Sequence, residues 1–151
     1  MKKINVKNIN KFLLFKLPAA YFTGVRLVTI TNNKAIAKVK FGWRNQNPFK
    51  SLYFAVLAMA AELSTGVLVM QEIEKSTKKV SMLVISHTGS FHKKAIGKII
   101  FTCESNDIIA ASIAKSIETG EGQTFQLSSI GTNEQGDVVS DFSFTWSLKV
   151  K

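Results

Sequence analysis

Residues 51–70, SLYFAVLAMAAELSTGVLVM, carry one charge, Glu62. A stretch this long and this apolar either crosses a bilayer or runs through the centre of a folded protein, because both settings demand apolar surface all round. Two features favour the second. An ionisable side chain near the middle is costly in lipid, and alternating strand patterns lie on both sides. The small residues Ala55, Ala58, Ala60, Ala61, Ser64 and Gly66 would let other backbone come close. The stretch is therefore expected to be a buried helix of a soluble protein, with no membrane span.

The flanking patterns describe what surrounds that helix. Residues 4–17 read as an amphipathic helix: Ile9, Phe12, Leu13 and Leu17 recur at three and four residues, Lys7, Lys11 and Lys16 can face water, and Pro18 ends it. Residues 21–30 and 35–41 read as strands joined at Asn32-Asn33, a turn signal. Ala37, Val39 and Phe41 alternate there with Lys38 and Lys40, which predicts one buried and one wet face. Further strands are expected at 79–87 and 96–104, with Val80, Met82 and Val84 on one face of the first. Residues 106–118 read as a helix with Ser105 or Asn106 as cap, Asp107 in its first turn and Gly120 as its stop. A hairpin follows over 123–131 and 138–150, turning near Gln135-Gly136. Strands and helices do not alternate, so parallel βαβ winding is excluded. The expected fold is α+β: an antiparallel sheet packed on one central helix.

Size and charge narrow the setting. The 151 residues, 46% hydrophobic and 20% charged, suit one domain over 1–151 with its own core. The one cysteine, Cys103, excludes an intrachain disulfide, and a reducing cytoplasmic location follows. Its apolar strand context predicts a buried side chain rather than a reactive thiol. Lys2, Lys3 and the FLLF run resemble a signal peptide, but residues 12–15 fall short of the ~7–15 apolar residues such a leader needs, and Lys7, Lys11 and Lys16 interrupt them. The net charge of +10 favours nucleic acid, an anionic membrane surface or a phosphate-bearing small molecule. The lysines are dispersed, adjacent only at Lys2–Lys3, Lys78–Lys79 and Lys93–Lys94, and no basic block interleaves with aromatics, so nucleic acid is not expected. His87 and His92, the only histidines, have no Cys or carboxylate at metal spacing; they are expected to be exposed or hydrogen-bonded, and no metal site is expected.

The element order, with WRNQNPFKSLYFAVLAMAAEL at its centre, resembles the hot-dog superfamily of thioesterases and dehydratases, whose sheet wraps a long central helix. The match over roughly residues 18–148 looks nearest to a hot-dog family of unknown function associated with thioesterases, on Trp43, Arg44, Asn47, Pro48, Phe49, Tyr53, Phe54 and Glu62. Hot-dog thioesterases of the phenylacetyl-CoA and hydroxybenzoyl-CoA types carry an Asn, then His-Gly-Gly at the helix start, then an acid inside it. Asn47 takes the place of the Asn, Tyr53, Phe54 and Ala55 that of His-Gly-Gly, and Glu62 that of the acid. Ser81 matches a strand serine that assists in some members. Phe91, Ala95, Gly97 and Lys98 resemble the later strand.

The resemblance implies hydrolysis of an acyl thioester, with no cofactor beyond the coenzyme A of the substrate, in a homodimer or homotetramer whose site lies between subunits. Glu62 would activate water, and desolvation by Leu57, Ala58, Ala61 and Leu63 would raise its pKa towards neutrality. Asn47 and the backbone N–H of Phe54 or Ala55 would hold the carbonyl. Lys50, Lys93 and Lys94 could meet the phosphates of coenzyme A. Tyr53-Phe54-Ala55 departs from His-Gly-Gly by placing bulk where backbone should be bare, which points to an alternative: a non-catalytic module that binds acyl chains or acyl thioesters. A structural reading of Glu62, paired with Arg44, Lys50 or another subunit's backbone, also stays open.

Overall fold

A computed structural model describes residues 3–151; Met1 and Lys2, the latter one half of the N-terminal basic pair, lie outside them. The long apolar stretch forms α3, Phe54–Ser76, behind two short helices, α1 (Val6–Lys16) and α2 (Pro18–Phe22), and two strands, β1 (Arg26–Ile30) and β2 (Lys34–Lys40). After it come β3 (Val80–Phe91), β4 (Lys98–Glu104), α4 (Ile108–Thr119), β5 (Gln123–Thr132) and β6 (Val138–Val150). The six strands make one antiparallel sheet in the order β1-β2-β4-β5-β6-β3.

Period-two alternation explains why this sheet wraps α3. Cross-strand partners stand on the same face, and register couples Ala37 to Phe101, Phe125 to Trp146 and Leu127 to Phe144. These residues, with Val39, Ile99, Cys103, Phe142 and Leu148, are buried against α3 residues Leu57, Ala60, Ala61, Val67 and Leu68 in one continuous core. This is the hot-dog architecture. Small side chains set how close helix and sheet come. A Cβ on Gly66 would lie 3.1 Å from Glu62 Oε1 and 3.2 Å from the Trp146 ring, so a larger residue there would push the carboxylate or the indole aside by a few tenths of an ångström. Two buried hydrogen bonds fix the contact: Ser64 Oγ, which donates to Ala61 O, accepts from Ser129 Oγ at 2.7 Å, and Trp146 Nε1 donates to Thr65 Oγ1 at 3.1 Å.

The structure corrects several boundaries. Residues 21–25 are not strand. Pro18 opens α2 at its first turn, where a missing N–H costs nothing, and Arg26 Nη1 closes the bend by donating to Tyr21 O and Val25 O. α3 starts at Phe54 rather than residue 51 because Leu52 N–H is held by Ala95 O at 2.9 Å and Leu52 bridges Gln46. It runs on to Ser76 because QEIEKS is made of helix formers and Lys75 pairs with Glu72 at 2.6 Å. α4 is preceded by Asn106, whose Oδ1 accepts the Ile108 N–H at 3.2 Å, and stops at Gly120 in the left-handed conformation, φ 73°. β3 extends to Phe91 along β6 as an edge strand, with Leu83 64% and Ile85 51% exposed.

Candidate active site

The loop from Phe41 to Tyr53 delivers the chain to α3, and two asparagines hold it. Asn45, buried within the 3-10 turn Trp43–Asn45, accepts the Gly42 N–H and donates to Thr23 O at 2.8 Å and Lys40 O at 2.9 Å. Asn47 Oδ1 accepts the Phe49 N–H at 2.9 Å, and its amide donates to Ser51 Oγ at 2.9 Å. Both short side chains thus act as local backbone partners, the ordinary use of Asn in turns.

At the helix start Tyr53 provides no side-chain cap. Its carbonyl accepts the N–H groups of Val56 and Leu57 at 2.9 and 3.3 Å, whereas those of Phe54 and Ala55 have no hydrogen-bond acceptor among the described residues. Uncapped donors at the positive end of a 23-residue helix form an anion-stabilising site. They border a cleft of about 560 Å³ lined by Asn47, Tyr53, Phe54, Leu57, Phe91 and the run from His92 to Ala95. The fold therefore gathers five of the nine expected site residues: Asn47, Tyr53, Phe54, Lys93 and Lys94. Ala55 follows directly on the helix. Lys50 sits at the exposed loop tip in the left-handed region, φ 57°, outside the cleft lining.

Glu62 and Ser81 lie elsewhere in the chain. Glu62 is eight residues past Phe54, about 12 Å along the helix axis. It belongs to a half-buried stripe, Ala55, Ala58, Met59 and Glu62, and its Oε1 lies over Gly66, where the Trp146 ring also packs. Its carboxylate accepts no hydrogen bond and makes no ion pair among the described residues, so the in-chain pairing with Arg44 or Lys50 is not formed. Desolvation by burial pushes its pKa from 4.5 up to about 7. Ser81 is at the other end of β3 from the cleft, donating to Lys149 O at 3.1 Å; ten residues separate it from Phe91, about 34 Å of strand.

One feature of the cleft escaped the sequence. His92 Nε2 and Asp141 Oδ2 are 2.5 Å apart at its lip. A hydrogen-bonded histidine was expected, but its partner emerges only from the pairing of β3 with β6, which sets Asp141 opposite Ser90. Beside it Lys93 Nζ meets Asp137 Oδ2 at 2.6 Å, and that contact with the Asn133 amide keeps the Asp137 carboxyl below its usual range. His87 stacks on Phe144, ring centroids 5.6 Å apart. Cys103 is fully buried with its thiol pushed up to about 12, first by burial and then by the neighbouring Glu104, so it offers no thiolate. Among the described residues no three His, Cys, Asp or Glu side chains group to hold a metal.

The same fold recurs in solved structures. A protein of unknown function from Pseudomonas aeruginosa, described as a probable thioesterase, superposes with a TM-score of 0.83 at 20% identity over 100% of both chains. A protein of unknown function from Chlorobaculum tepidum TLS gives 0.85 at 15% identity, over 97% of this chain and 94% of its own. A thioesterase from Haemophilus influenzae gives 0.76 at 13% identity, over 99% and 93%. At such identities the likeness establishes the hot-dog fold. No curated protein matches the sequence. The family described as a domain of unknown function, DUF4442, matches residues 7–148, nearly the whole fold from α1 to the end of β6, and this chain belongs to it.

Proposed function

We propose that the chain is a thioesterase that hydrolyses an acyl-CoA or a related acyl thioester. One observation carries this reading: two uncapped N–H groups, those of Phe54 and Ala55, stand at the positive end of a long helix beside an open cleft. Donors fixed in advance where an oxyanion develops are the largest single source of catalysis in acyl transfer. The thioester carbonyl lies against them, its acyl chain along Leu57 and Phe91, and Lys94 meets the phosphates of coenzyme A, since Lys93 is held by Asp137. Glu62 takes a proton from water; the water oxygen bonds to the carbonyl carbon, the C–S bond breaks, and the proton passes to the leaving thiolate. The products are a carboxylic acid and a thiol. A carboxyl titrating near 7 suits that exchange.

Glu62 and the cleft do not meet within one chain, so the reading includes a homodimer, or a tetramer built from it, in the cytoplasm. Pairing two β3 edges antiparallel about their midpoint would satisfy 12 residues of exposed strand. It would set Ser81 of one copy opposite Ser90 of the other, next to the cleft, where its hydroxyl can assist. The half-exposed stripe bearing Glu62 would face the same neighbour. Asn47 acts in this scheme by shaping the loop that presents the helix start, because its amide is engaged with Ser51.

Tyr53 and Phe54 favour a second reading, a non-catalytic acyl-binding module. Both are exposed, stack edge to face at 4.9 Å and fill the position where bare backbone would serve hydrolysis best. Thiol release across a panel of acyl-CoA chain lengths separates the two. Turnover that disappears in Glu62→Gln supports the thioesterase. Absence of turnover on every chain length, with thermal stabilisation by the same compounds, selects the binding module.

A further inference from the structure

The net positive charge of the chain comes from one part of it. The first 61 residues hold eleven of the twenty cations and no acid; the remaining 90 hold nine cations and all ten acids. In the fold the basic segment forms α1, α2, β1 and β2, with β1 at the sheet edge opposite β3, and the loop to Tyr53, whose start at Trp43 and Arg44 is tied to the end of α2 and whose end borders the cleft beside Phe91. Lys34 pairs with Glu104 and Arg26 lies over the Tyr21 ring. Among the described residues Lys11, Lys16, Lys40 and Arg44 make no ion pair.

Large apolar side chains stand out of the same region. At the corner between α1 and α2 Phe15 is 76% and Leu17 42% exposed, Phe22 at the far end of α2 is 54% exposed, and Trp43 is 84% exposed. The core does not need these residues, because Ile9, Leu13 and Ala20 already bury the inner faces of both helices. Trp43 is tied to the corner. Asn45, two residues on, donates to Thr23 O just past α2, and Thr23, Lys40, Trp43 and Arg44 line one open cleft. A single exposed hydrophobe is ordinary; four on adjoining elements, beside cations that make no ion pair among the described residues, call for a partner.

We propose that this face docks on an anionic lipid bilayer, with Lys11, Lys16, Lys40 and Arg44 against headgroup phosphates and Phe15, Leu17, Phe22 and Trp43 in the headgroup–acyl boundary. The combination decides the partner. Duplex nucleic acid would reward the cations but not the outward apolar side chains, and a single strand would stack on the aromatic rings but gain nothing from leucine. An interface between water and hydrocarbon rewards both, and tryptophan and lysine are the side chains that settle there. The β3 edge stays free for a second copy, and the proposal holds whether or not the chain hydrolyses thioesters.

The test is partition of the full chain onto large vesicles, equimolar phosphatidylglycerol and phosphatidylcholine against phosphatidylcholine alone. Binding is expected to the anionic vesicles at low salt and to weaken as salt rises. Trp43 should shift its emission to the blue, and Trp43→Phe should remove the shift because Trp146 is already buried. The triple substitution Phe15→Ser, Leu17→Ser, Phe22→Ser should keep the far-ultraviolet circular dichroism and reduce partition about tenfold or more. Should the triple variant lose its circular dichroism, Phe15→Ser alone serves, with a partial loss expected. Equal partition onto both vesicle types, or anionic binding with unmoved Trp43 emission and no effect of the corner substitutions, overturns the proposal. So does tighter binding to DNA, single-stranded or duplex, than to anionic vesicles at matched salt.

Discussion

At its first turn α3 opens onto a cleft where Asn47, His92 and Lys93 are partnered within the chain; two turns later the same helix carries a carboxylate with no partner among the described residues. Around the first turn Asn45 and Asn47 serve the loop backbone, His92 meets Asp141 and Lys93 meets Asp137. Among the described residues the backbone donors of Phe54 and Ala55 and the ammonium of Lys94 are left over. At Glu62 the environment is apolar and desolvation holds the carboxyl near neutrality. A buried polar group without a partner opposes folding. The difference shows which groups the fold keeps for its own stability and which it keeps for something outside the chain: a substrate, a water or a second copy.

The largest test of that contrast is chemical. Glu62→Gln keeps the shape and removes the proton acceptor, and turnover is expected to fall about 10³-fold, roughly 4 kcal/mol of barrier. Thiol release measures it; unchanged turnover would strip Glu62 of its role. Next comes the edge. Leu83→Lys with Ile85→Lys puts like charges on both partners of a β3–β3 pairing. Light scattering should show a monomer, and turnover should drop with it if the site needs two copies.

A third test reads the same carboxyl through stability. The folded pKa, about 7, lies above the unfolded value of 4.5. Between those values the folded state holds more protons than the unfolded one, so stability falls as pH rises through the window and is level above it. The Gln variant lacks this loss. It should match the parent at pH 4 and exceed it by about 3 kcal/mol at pH 8. Urea unfolding at both pH values decides. Equal stability at pH 8 would mean that the carboxylate is stabilised after all, by water or by the partner subunit.

Strand alternation carried most of the fold into the sequence. Phe142, Phe144, Trp146 and Leu148 are buried as their spacing predicts, and the helix around Glu62 was expected from its lack of charge. Boundaries were less legible, since tertiary hydrogen bonds set them: no local pattern around residue 51 announces that Ala95 will hold Leu52 extended. Within the site, Glu62 stood out as a lone charge. Asp141 did not, because it occupies a polar position of an alternating strand, and only the registry of β3 on β6 turns it into the neighbour of His92. The carbonyl-binding part expected of Asn47 rested on position, whereas its amide is engaged by the turn it closes.

That His92–Asp141 pair provides the smallest expected effect and the sharpest challenge to the contrast. Both side chains are about half exposed, and exposed ion pairs contribute little, about 0–1 kcal/mol. Asp141→Asn keeps a hydrogen-bonding group at the same place, so stability should change by no more than about 0.5 kcal/mol. If Glu62 is the base, turnover should also change less than about threefold, a shift attributable to the cleft lip alone. A histidine oriented by a carboxylate is nonetheless a well-formed proton acceptor. A fall of about 10²-fold in turnover with unchanged urea unfolding would transfer the base from the apolar third turn to the wet first turn. Glu62 would then answer to the subunit interface, and its unpaired carboxyl would have to be explained by what covers it.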